Sequence, residues 1–188
     1  RLKESTIRNS EQLLNQTTDN LDDYLRSMRR ISDARYYSVI KNKDLNIDSL
    51  DAEMNLIYEI NKDNLANIGC FTNDGELVSA EPIDTKKYNV DVKEQMWFQK
   101  AVDEMENLHF SIPHVMNIFD DTTQYYHWDI SLSRAVELTD NGSSSLGVLL
   151  VVMKFSSIEQ MLDKVNAGKM DEYIYLMDDA GEIIYHPK

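Results

Sequence analysis

Gly69-Cys70-Phe71-Thr72-Asn73-Asp74-Gly75-Glu76-Leu77-Val78-Ser79 decides the fold. Asn-Asp-Gly tolerates the left-handed backbone of a tight turn, and apolar residues stand on both sides, so the stretch predicts two short paired strands. Everything before it reads differently. Gly69 is the first glycine and Pro82 the first proline, so the opening third lacks the strongest breakers of regular structure. There Ile7, Leu14, Leu21 and Met28 recur at heptad spacing, with Tyr24, Leu25 and Ile31 in adjacent half-turns, which predicts a helix with one apolar stripe. A single helix over 3–40 would be about 57 Å long, more than a compact core needs. Part of it leans either along its own domain or on a second copy, and Ser10 and Thr17 weaken the half-heptad positions of a dimer seam.

Asp48 to Ile68 reads as a second helix, capped by Ser49 or Asp48, with Leu50, Met54, Ile57, Leu65 and Ile68 on one side. Helical spacing returns from Val92 to Met105, through Met96, Trp97, Ala101 and Val102. Three strands are expected at about 108–119, 125–138 and 146–155, separated by Asp120-Asp121-Thr122-Thr123 and Thr139-Asp140-Asn141-Gly142-Ser143. In the second strand Tyr126, Trp128, Ile130 and Leu132 alternate with His127, Asp129, Ser131 and Ser133, giving an apolar and a polar face. The third, Leu146 to Met153, is apolar throughout and so is expected in the centre of the sheet. After a short helix at about 156–166 and Gly168, the runs Glu172 to Met177 and Glu182 to Tyr185 flank Asp178-Asp179-Ala180-Gly181, repeating the first hairpin in kind. The expected fold class is therefore α+β, a long N-terminal helix on an antiparallel sheet. The expected division is 1–67 for the two helices, 68–167 for the sheet domain, and 168–188 for the first hairpin of a second module of the same type.

The 188 residues, 42% hydrophobic and 28% charged, are those of an ordinary globular chain with room for one good core. A formal net charge of -14 excludes a nucleic-acid footprint, which needs clustered Lys and Arg to neutralise phosphates. Cys70 is the single cysteine, so no internal disulfide can form; it reads as a buried small hydrophobe. No stretch reaches the ~20 apolar residues of a membrane helix. The chain opens inside a charged helical pattern and closes directly after a strand-like run, so both ends are expected to continue in a longer polypeptide.

Motifs for nucleotide, acyl-transfer, zinc-protease and dithiol chemistry are all missing, and only six glycines are available to build a phosphate loop. No catalytic residue, cofactor or metal site is expected. The histidines His109, His114, His127 and His186 are spread along the chain. His127 and Asp129 share a strand face, where they could meet a ligand or metal; a solvated polar face explains them as well. Asp120-Asp121 is explained by a turn, and the pairs Asp22-Asp23 and Asp178-Asp179 by a helix face and a turn. Trp97-Phe98 are adjacent on a helix and point in different directions, so one can pack in the core while the other faces a cleft; both in the core is the alternative.

Taken together, Gln95-Met96-Trp97-Phe98-Gln99-Lys100-Ala101, Phe110-Ser111-Ile112-Pro113-His114-Val115, Trp128-Asp129-Ile130-Ser131-Leu132-Ser133-Arg134 and Gly147-Val148-Leu149-Leu150-Val151-Val152-Met153 resemble double-Cache (PAS-like) sensor domains. The resemblance is greatest to the extracytoplasmic part of Gram-positive membrane sensor histidine kinases, with Gly168 to Pro187 resembling the opening of the membrane-proximal module. It implies an ectodomain on the outer face of the cell membrane, held by transmembrane helices outside this sequence. It further implies a homodimeric receptor, no enzyme activity in this part, and a pocket lined by Gln95, Trp97, Phe98, His127, Asp129 and Ser131. Many amino-acid-binding Cache domains carry an Arg shortly before the Trp-aromatic pair and an Asp in the last strand; Gln95 and Val152 stand at the matching positions here. Without those groups a zwitterion meets an uncompensated desolvation cost, so no ordinary amino acid is expected to bind. Aromatic faces beside neutral polar groups suit a sugar or another small polar metabolite. An interaction or dimerisation module without a small ligand, and the sensor of a chemoreceptor or diguanylate cyclase, are the alternatives.

Overall fold

The computed structural model describes residues 2–35, 39–121, 127–167 and 173–187. Its elements are α1 (Leu2–Arg35), α2 (Asp51–Asn61), β1 (Leu65–Thr72), β2 (Leu77–Glu81), α3 (Met96–Asp103), β3 (His109–Phe110), β4 (His114–Val115), β5 (Trp128–Asp140), β6 (Ser143–Lys154), α4 (Ser156–Asn166), β7 (Leu176–Met177) and β8 (Ile183–Tyr185). Met28–Lys154 form one compact unit; Arg1–Ser27 and Phe155–Lys188 belong to the other.

In the unit Met28–Lys154 the sheet runs β2-β1-β6-β5-β3, with β4 also paired to β5 and every pair antiparallel. The order follows from the side chains. Gly147 to Met153 of β6 are buried on both faces, so β6 needs cover above and below and takes a central place, as its apolar run predicts. β5 and β6 form one long hairpin because Asn141 and Gly142 adopt φ of 49° and 74°, the turn whose twist matches the strands it joins. Asp44 clamps that turn, its carboxylate oxygens accepting from the Asn141 and Gly142 amides at 2.8 and 2.9 Å. The Asn46 amide most of all, then those of Gly142 and Asn141, hold the Asp44 carboxyl below its ordinary value.

Strand alternation gives the sheet two covered faces. On the first, Ser79, opposite Cys70, donates to Asp51 of α2 at 2.5 Å, and Met54 and Ile57 of α2 are fully buried. On this face the last turns of α1 are tied to β5, where Arg134 meets Asp33 at 2.5 Å. The second face carries Phe71, Val148, Leu150 and Val152, which pack with Trp97, Phe98 and Ala101 of α3 and with Ile118 and Phe119.

Two sequence expectations change. The second helix ends at Asn61, not near Ile68, because Leu65–Thr72 is drawn into a ladder between β2 and β6. The spacing of Leu65 and Ile68 fits either a helix stripe or a strand buried on both faces, and the sheet decides it. The expected strand at 108–119 is two short pieces on either side of Pro113, which has no N–H to give the ladder. The expected stretch 36–40 of the long helix falls partly, and Tyr126, Thr122, Thr123, Gly168 and Glu172 fall wholly, outside the described residues.

In the other unit α1 buries Tyr24 and Thr17 but leaves Ile7 and Leu14 exposed. Asn166 at the end of α4 clasps the backbone of Ile174, accepting from its N–H at 2.7 Å and donating to its carbonyl at 2.9 Å. Tyr185 of β8 donates to Asp163 of α4 at 2.5 Å, so helix and hairpin are joined through side chains.

Candidate functional site

Helix α3 is short, and its start is prepared by a 3-10 turn at Val92–Glu94 that Asp91 caps through the Lys93 amide at 2.9 Å. Gln95 then leaves the helical region, and its carbonyl accepts from the Phe98 and Gln99 amides, starting α3. Met96 is left in solvent while Trp97, Phe98 and Ala101 turn onto the sheet. Trp97 lies 5.5 Å from Phe71 and 5.7 Å, edge to face, from Phe98 between ring centroids. Ser133 of β5 donates to the Trp97 carbonyl at 2.8 Å, fixing the first turn of α3 against the strand. Glycine at 69 leaves room for two rings on the sheet: a Cβ there would stand 3.2 Å from the Phe71 ring and 3.3 Å from the Phe119 ring.

Of His127, Asp129, Ser131 and Ser133, which alternate along this face, only His127 is solvated. Asp129 is 2% exposed, and Ser131 and Ser133 are fully buried. Ser131 is engaged internally: its N–H and hydroxyl donate to Ser111 Oγ at 2.9 and 2.7 Å, and Ser111 Oγ lies 3.1 Å from His114 Nδ1. Asp129 has less. His114 stands directly opposite it on β4, and His127 Nδ1 is 4.0 Å from its Oδ2, but its Oδ1 has no hydrogen-bond partner. Burial pushes the Asp129 carboxyl up to about 6 against the pull of His127, His114 and Lys154 and a hydrogen bond from the Met116 amide. Trp97 Nε1 and Asn67 Oδ1 are also buried without a partner, although the Asn67 amide nitrogen reaches the Ile83 carbonyl at 3.4 Å. Asn67 pairs with Val152, Val152 with Ser131, and Asp129 lies two positions along, so all belong to one side of the sheet. One donor and two acceptors are thus buried and unanswered on the α3 side of the sheet, where native groups are ordinarily satisfied.

The structure packs Trp97 and Phe98 of α3 on the sheet, and on the same face, farther along β5, it buries Ser131 against Ser111 and Asp129 opposite His114. Both aromatics are in the core, the second of the two arrangements the sequence allows. Gln95 sits half-buried at the start of α3, and His127 is exposed at the entrance to β5. The sequence places Ser133 on the polar strand face but not among the pocket residues, and it does not single out Asn67 at all. A lone polar residue inside the apolar run Leu65 to Phe71 was the available signal for Asn67, lost once that run was read as helix. Among the described residues no group of three His, Cys, Asp or Glu side chains could hold a metal. Cys70 is buried and its thiol is pushed up to about 12, so it supplies no nucleophile.

The family model for the Cache domain matches residues 1–188. The chain belongs to the Cache domain family. Cache domains are extracellular sensor domains, and in chemoreceptors they bind small ligands such as amino acids. This Cache domain is similar to the ligand-binding domain of the Pseudomonas aeruginosa amino-acid chemoreceptor PctC in complex with GABA, at 21% identity and a TM-score of 0.64, covering 92% of this chain and 71% of that one. It is similar also to the sensory domain of the Campylobacter jejuni chemoreceptor Tlp3 with isoleucine bound, at 18% identity and TM-score 0.72 over 98% of this chain and 71% of that one. The ligand-binding domain of P. aeruginosa PctB in complex with L-Arg matches at 13% identity and TM-score 0.69, over 95% and 64%. At these identities the likeness is one of fold. No curated protein matches the sequence. Among the described residues no helix is long and apolar enough to cross a membrane.

Proposed function

We propose that this Cache domain is the ligand-sensing ectodomain of a bacterial membrane receptor, and that the covered face bearing Asn67, Trp97, Phe98 and Asp129 receives a small polar ligand. One observation carries the reading: the buried, unanswered atoms Asn67 Oδ1, Trp97 Nε1 and Asp129 Oδ1. A ligand rich in hydroxyls, such as a sugar, would answer them while its apolar face rests on the aromatic rings. Gln95 and Val152 give no charge pair for the carboxylate and ammonium of an ordinary amino acid. His127, exposed beside Asp129, and Ser131, tied to Ser111, frame the same site.

The domain itself catalyses nothing and serves a sensor histidine kinase of a two-component system, as a homodimer. The exposed Ile7 and Leu14, one heptad apart on α1, support pairing with a second copy. The likeness to PctC, PctB and Tlp3 favours a second reading for the output, a chemoreceptor. Thermal-shift screening of sugars, amines and amino acids tests the binding site: ligands that raise the melting point of the wild-type domain but not of Trp97→Phe, which loses the indole N–H, support it. A screen in which no compound class shifts the melting point removes the small-ligand reading.

A further inference from the structure

Strand β2 is an edge of the sheet: β1 pairs with one side of it, and among the described residues no strand pairs with the other. An edge strand presents a row of unmade backbone N–H and C=O bonds on which a further strand can form. This edge opens into a groove of about 520 Å3 that runs along Glu76 to Glu81 and is lined also by Asp51 of α2 and by Asp84 to Lys86. The chain does not turn back to fill it. Beyond Pro82 the backbone pairs elsewhere, the Asp120 amide donating to the Thr85 carbonyl at 2.8 Å and the Lys87 amide to the Ile118 carbonyl at 2.9 Å.

The groove is acidic. Glu76, Glu81 and Asp84 enter no ion pair among the described residues. Asp51 accepts from the Ser79 hydroxyl at 2.5 Å, and this bond, with one from Ser49, keeps its carboxyl below the ordinary value and so charged. The one cation among the lining residues, Lys86, sends its ammonium to the Val90 carbonyl at 2.9 Å. Ser79 and Glu81 are two positions apart and share one side of the strand, so alternate residues of an added strand meet Asp51 and Glu81. A second copy of β2 is a poor occupant. It would bring the same carboxylates against these, and like charges across a strand pair are destabilising. Five residues also make a short seam for a stable dimer, whose interface buries at least ~1,200 Å2.

We propose that β2 docks an extended segment of a partner protein that carries Lys or Arg at alternate positions, added to the sheet as a further strand. Backbone hydrogen bonds to the free edge supply affinity, and the cations facing Asp51, Glu76, Glu81 and Asp84 select the partner. The added strand lies against the Ser79–Asp51 bond that joins β2 to α2. Docking there needs no ligand under α3, so it stands apart from the small-ligand reading.

Fluorescence anisotropy with three labelled peptides tests this: an alternating Lys-Thr peptide, its Glu-Thr counterpart, and a Lys-Pro peptide that keeps the charge but lacks the N–H groups a ladder needs. The Lys-Thr peptide is expected to bind at least about tenfold more tightly than either control and to weaken as salt rises. Combining Glu76→Lys with Glu81→Lys is expected to lower its affinity about tenfold. Hydrogen exchange of the 77–81 amides is expected to slow when it binds. The peptide comparison on the wild-type protein stands even where the variant fails to fold. Equal binding of the Lys-Pro peptide would leave charge alone as the cause and overturns strand addition, as does binding that leaves exchange at 77–81 unchanged. No binding of the Lys-Thr peptide overturns the proposal outright. Self-association of the free domain that protects 77–81 also overturns it, by giving the edge to a second copy.

Discussion

Replacing Asp129 by Asn should make the protein more stable at pH 7 than the wild type by an amount that disappears at pH 4. The carboxyl moves from its ordinary 3.8 to about 6 because burial penalises its charged form. Between those values the folded chain keeps a proton that the unfolded chain has lost, so stability falls as pH rises through that window. A shift of about two units sets a ceiling near 3 kcal/mol at ~1.4 kcal/mol per unit, and screening by solvent at the His127 side reduces it to about 1–2 kcal/mol. Asn is nearly isosteric and does not titrate, so the pH-dependent part of the difference reports the Asp129 charge together with its interaction with His127 and His114. For a chain of this length that amounts to about 2–8 °C in melting temperature. Thermal melts of both proteins by circular dichroism at pH 4, 5, 6 and 7 should diverge in favour of Asp129→Asn as pH rises. Curves that stay parallel across this range would refute the account of Asp129 as a carboxylate buried without a matching cation.

Gly147→Ala should destabilise by about 1–3 kcal/mol, the ordinary cost of overpacking, because the new Cβ would stand 2.5 Å from Leu138 Cδ1 and 2.7 Å from the Phe71 carbonyl. An unchanged urea midpoint would show that β1 and β6 can separate there without loss. Asp44→Ala should lower the urea midpoint at pH 7. Since the folded carboxyl lies below its ordinary 3.8, its contribution is present above that value and fades as pH falls, so wild type and variant should converge towards pH 3. Cys70 should resist thiol reagents in the native protein and react at once in denaturant, and native labelling at an ordinary rate would mean that β1 opens readily.

The elements the sequence shows most clearly are those whose side chains leave a single solution. The uniform apolar run Leu146 to Met153 could only be a strand covered on both sides, and Asn141-Gly142 could only be a tight hairpin turn. Leu65 to Ile68 was ambiguous because a strand buried on both faces shows no period of two, and only the ladder to β2 and β6 resolves it. At the site, the alternation in β5 placed Asp129, Ser131 and Ser133 on one face, but not whether that face is wet or dry. That depends on α3, which meets Ser133, and on Ser111 and His114, which meet Ser131 and stand opposite Asp129, all of them distant in sequence. Local patterning does not report such contacts, so the burial of Asp129 and the part played by Asn67 emerge only from the assembled sheet.

Ser133 and Arg134 are consecutive on β5 and, as strand geometry requires, point to opposite faces. One holds the Trp97 carbonyl and the other grips Asp33 of α1. A single peptide unit therefore separates the anchor of the aromatic helix from the anchor of the long helix. A twist of β5 large enough to release one side chain rotates the other in its socket, so the aromatic cover and the end of α1 share a pivot one residue long.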